Sequence, residues 1–177
     1  ETGAGTGASL FQIHSSTGVV TLSSGQSLNY EGASSYTYTV QISDGSLTYS
    51  EQITISVTNV NEAPTDIALN STSVAENAGS NAAVGTLSKT EVDGSSWTYT
   101  LVAGSGDTDN GLFNISGTSL RATSSLNYEG ASSRSVRIRV TDNTSLTYEE
   151  SFTISVTNVN EAPTDIAAAG TMSISES

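Results

Sequence analysis

The chain has 177 residues, 35% of them hydrophobic and 13% charged, and its formal net charge at pH 7 is -13. A chain this acidic lacks the basic face that nucleic acid or an anionic membrane surface requires, whereas clustered carboxylates are compatible with a divalent cation. It has no cysteine and a single histidine, His14. This excludes disulfides, thiolate zinc sites and cysteine nucleophiles, and it leaves little for a histidine-based catalytic site. No apolar run approaches the roughly 20 residues that span a bilayer, so we expect no direct membrane insertion of this segment.

Alternation of apolar and polar residues predicts short β-strands throughout the chain. A period of two places one set of side chains in a core and the other in water. Clusters of Gly, Asn, Asp and Ser separate these segments, and no segment shows the 3.6-residue stripe of an amphipathic helix. In chain order, the apolar residues of the predicted strands are Tyr38, Val40 and Ile42; Ile53, Ile55 and Val57; Val84 and Leu87; Trp97, Tyr99 and Leu101; Leu112 to Ile115 and Leu120; Val136, Ile138 and Val140; and Phe152, Ile154 and Val156.

An internal repeat sets the domain organisation. SLNYEGASS at 27–35 recurs at 125–133, and TISVTNVNEAPTDIA at 54–68 recurs 99 residues later, at 153–167. A period of this length indicates a domain and not the rung of a solenoid. We therefore predict three units from a tandem array: an incomplete repeat with the later strands only at 1–62, a complete repeat at 63–161 and the opening strand of a third at 162–177. About seven short strands in one period predict an all-β fold, a Greek-key β-sandwich of the cadherin or immunoglobulin kind.

Acidic residues recur at equivalent places in the repeats. LNYEG holds Glu31 and its equivalent Glu129, and VNEAP holds Glu62 and its equivalent Glu161. A sandwich brings its end loops together, so acids that are distant in sequence can meet at one pole. Calcium prefers six to eight oxygen ligands, mostly carboxylates, amides and carbonyls. The remaining acids that follow this pattern are Asp44 and Asp142 after the alternating strand, Glu76 near the start of a unit, and Glu91 and Asp93 in TEVDG.

Taken together and in order, these segments resemble bacterial cadherin-like repeats of large surface adhesins. LNYEG is similar to that family's LDxE motif, SVAEN to xEN, TEVDG to DxD, VTDN to AxD and TNVNEAP to the DxNDxxP linker. The resemblance covers essentially the whole chain. It implies calcium ions held between successive domains, although asparagine stands at Asn29, Asn59, Asn127 and Asn158 where the family usually has aspartate. Asparagine offers a carbonyl oxygen without charge, so we expect fewer ions per junction or weak affinities, on the order of 10⁻⁴ to 10⁻³ M.

The resemblance implies a set of ligands at each junction. The alternative is that these acids only cap turns and keep the surface soluble. Asp44 would face a junction upstream of the chain. The set for the junction of the first and second repeats is Asn29, Glu31, Asn59, Asn61, Glu62, Glu91, Asp93 and Asp142. The set that the second repeat offers to the third is Glu76, Asn127, Glu129, Asn158, Asn160 and Glu161.

The resemblance further implies a calcium-stiffened structural or adhesive repeat of a bacterial extracellular or cell-surface protein. It would project a binding module or mediate cell contact itself, through other copies of the repeat or through cell-surface polysaccharide. The alternative function is a carbohydrate-binding module, which needs exposed aromatic rings. The alternation of Trp97 with Tyr99 and Leu101 instead predicts a core position for the only tryptophan. An enzyme is not expected, because acids that recur at every junction suit a structural ion better than a catalytic centre.

Overall fold

The computed structural model describes residues 3–94 and 96–163, and it forms two compact units that divide between Glu62 and Ala63. Regular structure in these residues is β-strand throughout, apart from one 3₁₀ turn at Asn110–Leu112. The predicted all-β class is therefore confirmed. The opening strand expected for a third repeat, at 162–177, lies outside the described residues from 164 onwards.

The first unit is built around one long hairpin. Its strands are β1 (Gly3–Ala4), β2 (Phe11–Ile13), β3 (Val20–Leu22), β4 (Ser35–Ser43) and β5 (Thr48–Ser56). The sheet order is β1-β4-β5, and β2 and β3 form a separate antiparallel pair. Phe11 and Tyr38 are buried, with their ring centroids 6.2 Å apart in an edge-to-face contact. Aromatic packing of this kind contributes to the apolar contacts of the unit.

The second unit is a sandwich of two four-stranded sheets. The strands of the first sheet, in the order β10-β11-β8-β6, are β10 (Phe113–Ser116), β11 (Ser119–Ala122), β8 (Ala83–Thr90) and β6 (Asp66–Leu69). Those of the second, in the order β7-β13-β12-β9, are β7 (Ser73–Ala75), β13 (Thr147–Thr157), β12 (Ser133–Asp142) and β9 (Trp97–Leu101). The opening segment of this unit is split, because β6 pairs with β8 whereas β7 runs parallel to β13 in the other sheet.

The core of the second unit follows the predicted alternation. Val136, Ile138, Val140 and Ile154 are fully buried, whereas Arg137 and Arg139 lie on the outer face of the same strands. The opposite sheet supplies its own apolar face to the same cluster, from residues Ile67, Val84, Leu87 and Leu120. Two apolar sheet faces packed together are what a sandwich requires.

Two predicted inward positions are wrong. Ile42 is 53% exposed, because it lies at the far end of β4, in a unit where the described residues place no second full sheet over the hairpin. Trp97 is 41% exposed although Tyr99, on the same face, is buried. Trp97 begins β9, an edge strand, and pairs with Asp142 at the last position of β12. It therefore lies at a corner of the sheet, where a side chain on the inward face need not be covered by the opposite sheet.

Candidate metal centre

Three glutamates converge at one end of the second unit. Glu76, Glu129 and Glu161 each offer a carboxylate oxygen, and these oxygens lie within 4.8 Å of one another. Glu76 follows β7 directly, Glu129 lies in the turn before β12, and Glu161 lies in the linker after β13. The structure thus brings together three members of the ligand set that the sequence assigned to this end of the repeat.

Glu76 is the buried anchor of this cluster. It is 2% exposed, and its backbone N–H donates to the Thr157 carbonyl at 3.0 Å. Its Oε2 accepts the backbone N–H of Tyr128 at 2.8 Å, and its Oε1 accepts that of Val159 at 2.8 Å. The N–H of Tyr128 and then that of Val159 hold the pKa of the Glu76 carboxyl below its ordinary value. The side chain is therefore ionised at neutral pH and ties the LNYEG turn to the linker.

Asparagine amides orient the other two carboxylates. Asn158 Nδ2 donates to Glu129 Oε1 at 3.0 Å, and Asn77 Nδ2 donates to Glu161 Oε1. Asn77 adopts a φ of 56°, in the left-handed region, where asparagine is better tolerated than most residues. Sequence reasoning did not include Asn77 among the site residues. Its position directly after Glu76 in SVAEN is the signal that would have found it.

Two further members of the set flank the cluster. Asn127 Oδ1 accepts the backbone N–H of Gly130 at 3.2 Å, which shapes the turn that carries Glu129. Asn160 is exposed on the linker, next to Glu161. Both residues lie within two positions of a cluster glutamate.

The two hairpin aspartates act as acceptors within their own turns. Asp142 is buried, and its Oδ1 accepts the backbone N–H groups of Thr144 at 2.8 Å and Leu146 at 2.9 Å. Asp44 is exposed, and its Oδ1 accepts those of Leu47 at 2.8 Å and Ser46 at 2.9 Å. The same N–H groups, with Leu47 the stronger, lower the pKa of Asp44. Both contacts match the turn-capping alternative that the sequence left open.

The remaining predicted ligands are placed as follows. Glu91 is half-buried, with its side chain out of solvent, and it forms an ion pair with Lys89, its neighbour two positions earlier. Asp93 is also half-buried. In the first unit, Asn29 Oδ1 accepts the backbone N–H of Glu31 at 2.9 Å, and Asn61 Nδ2 donates to the carbonyl of Glu62 at 3.0 Å. The predicted ligands in the first unit that are exposed are Asn29, Glu31, Asn59 and Glu62.

The donor set of the glutamate cluster suits calcium. It consists of hard carboxylate oxygens with neighbouring amide oxygens, which are the ligands that Ca²⁺ prefers, and it contains no imidazole or thiolate. In residues 3–94 and 96–163, the ion pairs to lysine or arginine involve Glu91, Asp109 and Glu149 and none of the three cluster glutamates. Three carboxylates this close repel one another unless a cation intervenes.

Comparisons with solved structures identify the fold. The chain superposes on a crystal structure of the EC1-2 segment of human protocadherin-24 with a TM-score of 0.69 at 23% identity, covering 88% of this chain and 80% of that one. For domains 3-6 of protocadherin gamma B2, the TM-score is 0.65 at 19% identity, with coverages of 90% and 40%. For the human desmocollin-1 ectodomain it is 0.55 at 22% identity, with coverages of 86% and 32%. The chain thus spans less than half the length of the last two.

These likenesses define a cadherin-like fold, as the sequence motifs predicted. No family model matches the sequence, and no curated protein matches it either. Within the described residues, no helix is long and apolar enough to cross a membrane.

Proposed function

We propose that this chain is a calcium-binding repeat of an extracellular, bacterial cell-surface protein, in which ions at the domain junctions stiffen an array that projects or mediates adhesion. The observation that carries the proposal is the cluster of Glu76, Glu129 and Glu161, three converging carboxylates that form no ion pair with lysine or arginine in the part of the chain that the structure describes. The cadherin-like fold and the extracellular domains named among its structural neighbours add support.

The chain's own residues would hold the ion as follows. Glu76, Glu129 and Glu161 supply carboxylate oxygens, and the amide oxygens of Asn127 and Asn158 complete the donor set. A bound calcium ion supplies the positive charge that lets these carboxylates coexist. The hydrogen bonds to Glu76 tie the LNYEG turn to the linker that carries Glu161. The repeat extends the proposal to the equivalent residues of the first unit, Asn29, Glu31, Asn59, Asn61 and Glu62.

Stiffening follows from linkage between ion binding and linker order. Residues 158–161 are the segment that leaves β13 and leads towards the next predicted repeat. An ion that binds only when this segment is docked stabilises the docked arrangement over mobile alternatives. For a dissociation constant on the order of 10⁻⁴ M, calcium at about 100 times that concentration raises the unfolding free energy by about 2.7 kcal/mol.

A calcium titration followed by hydrogen exchange tests the site directly. We expect millimolar Ca²⁺, but not equal Mg²⁺, to slow exchange at the backbone N–H groups of Tyr128 and Val159 and to raise the melting temperature. The double variant Glu129→Gln, Glu161→Gln should lose this response, because it removes two of the three charges. Glu51→Gln, which removes an exposed acid outside every predicted ligand set, is the matched control. If calcium protected these N–H groups equally in the double variant and in the control, the proposed metal centre would be refuted.

Small-angle scattering tests the stiffening separately. A protein with two complete repeats should show a larger maximum dimension in calcium than in chelator, because the ions restrain the linker. An unchanged dimension alongside intact calcium binding would refute the mechanical role while leaving the ion site in place. Calcium-dependent clustering of coated beads would then report on adhesion between copies.

A further inference from the structure

A buried ion pair lies at the opposite end of the second unit from the glutamate cluster. Lys89 is near the end of β8, and Glu91 follows that strand directly. Trp97, which contacts Lys89, pairs with Asp142 at the last position of β12, whereas Glu129 precedes the start of β12. Because β12 has 10 residues, the two ends of the unit are separated by roughly 30 Å.

The charges of this pair are withdrawn from solvent. The side chains of Lys89 and Glu91 are 7% and 0% exposed, and the ammonium forms an ion pair with Glu91 Oε2. The same Nζ lies 4.3 Å from the centroid of the Trp97 ring, a cation–π contact. Among the described residues, no other group donates a hydrogen bond to the Glu91 carboxylate. Lys89 thus supplies the charge that permits burial of Glu91, because an unpaired carboxylate is very costly to remove from water.

The loop after β8 closes against the carboxylate. A Cβ built on Gly94 would overlap the Glu91 carboxylate, so the absence of a side chain at Gly94 permits this close approach. The charge of Glu91 is also felt inside the unit, at Tyr99. Burial raises the pKa of Tyr99, a hydrogen bond with the Trp97 side chain opposes this rise, and the negative charge of Glu91 adds to it. The Glu91 carboxylate is therefore directed into the unit and away from the surface.

This geometry conflicts with the role of calcium ligand that the TEVDG segment implied for Glu91. A calcium ion binds a carboxylate oxygen at about 2.3 to 2.6 Å, and the Lys89 ammonium already lies against that oxygen. If Glu91 turned towards solvent, the ammonium would stay buried against the indole without a counter-charge. The ammonium also repels a dication. Calcium would have to break the ion pair before Glu91 could bind it, and this cost weakens binding.

We propose that Lys89 is a built-in counter-ion that keeps Glu91 from binding calcium, so that the TEVDG end of the second unit is held closed without metal. Lys89 thus determines which end of the unit takes the ion. The glutamate cluster forms no ion pair with lysine or arginine in residues 3–94 and 96–163, whereas Glu91 has its cation within the chain. The inference rests on the proposed function for calcium binding at the cluster, but the ion pair itself does not depend on calcium.

Acetylation of the only lysine tests the ion pair in the unaltered chain. Lys89 should react with acetic anhydride at least about tenfold more slowly than in the urea-unfolded chain, because the reaction requires local opening. The rate, followed by peptide mass spectrometry, should be no faster in millimolar calcium than in chelator. A faster rate in calcium would show that Glu91 leaves Lys89 to bind the ion, and this would overturn the proposal. So would a rate equal to that of the unfolded chain.

Calcium titrations of two variants test the exclusion, with fluorescence of the single tryptophan, Trp97, as the readout. Lys89→Met removes the counter-ion and should create a calcium response with a midpoint on the order of 10⁻³ M. The double variant Lys89→Met, Glu91→Gln removes both charges and should show no response, as should the unaltered chain. Absence of a response in Lys89→Met would overturn the proposal. So would a response of the unaltered chain that the double variant lacks.

Circular dichroism in calcium and in chelator checks the folding of each variant. If the buried carboxylate prevents Lys89→Met from folding in chelator, calcium should restore its fold. Failure of calcium to do so, while the double variant folds, would contradict the exclusion of calcium by Lys89.

Hydrogen exchange in the same samples separates this inference from the proposed function. Protection of the backbone N–H groups of Tyr128 and Val159 by calcium should be equal in the unaltered chain and both variants, because the glutamate cluster lies at the other end of β12. Lack of protection in every sample would refute the metal centre, whereas the Trp97 titrations and the acetylation rates alone decide the role of Lys89.

Discussion

The hairpins β4–β5 and β12–β13 have related sequences and matching antiparallel registers, yet they are buried to different extents. Tyr38 pairs with Ile53 in the first unit, and its equivalent Val136 pairs with Phe152 in the second. Tyr49 is 64% exposed, whereas its equivalent Tyr148 packs against the core. Ile154 is fully buried, whereas its equivalent Ile55 is only half-buried.

The difference lies in what faces each hairpin. In the second unit, β6 and β8 place Ile67, Val84 and Leu87 in the same apolar cluster as the hairpin. In the first unit, the hairpin shares an apolar groove of about 380 Å³ with the short β2–β3 pair. Related local sequences therefore form matching strands, but the burial of their side chains depends on whether a second sheet covers them.

The outer faces of the two hairpins differ in charge. Arg139 Nε donates to Glu149 Oε1 at 2.7 Å, and Arg137 Nε donates to Glu149 Oε2 at 2.9 Å. At the equivalent cross-strand position of the first unit, Gln41 Nε2 donates to Ser50 Oγ at 3.1 Å. One hairpin thus carries an ionic cluster where the other carries a neutral hydrogen bond.

Truncation at the matched isoleucines should give the largest effect. Ile154→Ala should lower the unfolding free energy of the second unit by about 2 to 5 kcal/mol, because it leaves a cavity in a packed core. Ile55→Ala should cost less than half as much in the first unit. Urea unfolding followed by Trp97 fluorescence reports the second unit, and hydrogen exchange in β4–β5 reports the first. Equal losses would show that the two hairpins are buried alike.

The turn aspartates should give an intermediate effect. In calcium-free buffer, Asp142→Ala should cost about 1 to 3 kcal/mol, because it removes a buried carboxylate that accepts from two backbone donors. Asp44→Ala should cost less, because the Asp44 carboxylate is exposed and water can replace it. Asp142→Asn retains an acceptor and serves as the control. If Asp142→Ala and Asp142→Asn unfold at the same urea concentration, the hydrogen-bond explanation fails.

Loss of the ionic cluster should have the smallest effect on stability, and this effect should appear at acidic pH. The hydrogen bonds from Arg139 and then Arg137 lower the pKa of Glu149 in the folded state. Its stabilisation is therefore present above the ordinary glutamate pKa and is lost as pH falls through the lowered folded value. The pH dependence of unfolding monitored by Trp97 should be shallower in Glu149→Gln than in the unaltered chain. Identical pH profiles, at low salt, would contradict the assignment.

Much of the fold was predictable because the signals are local. The alternation of Val136, Ile138 and Val140 predicted β12, and the repeated LNYEG and VNEAP segments predicted that Glu129 and Glu161 belong to one set. The position of Trp97 was not predictable in the same way. Period two gives the face of a strand, but it does not show where that strand ends or whether a sheet lies opposite.

The amino-acid sequence by itself determined the strands, the repeat and the types of oxygen donor available, because these depend on spacing and chemistry along the chain. The tertiary structure decided which donors meet, since Glu76 reaches Tyr128 and Val159 only after β7 pairs with β13. It also decided that Trp97 lies at an open edge. Both outcomes depend on contacts between segments far apart in sequence, which no local pattern records.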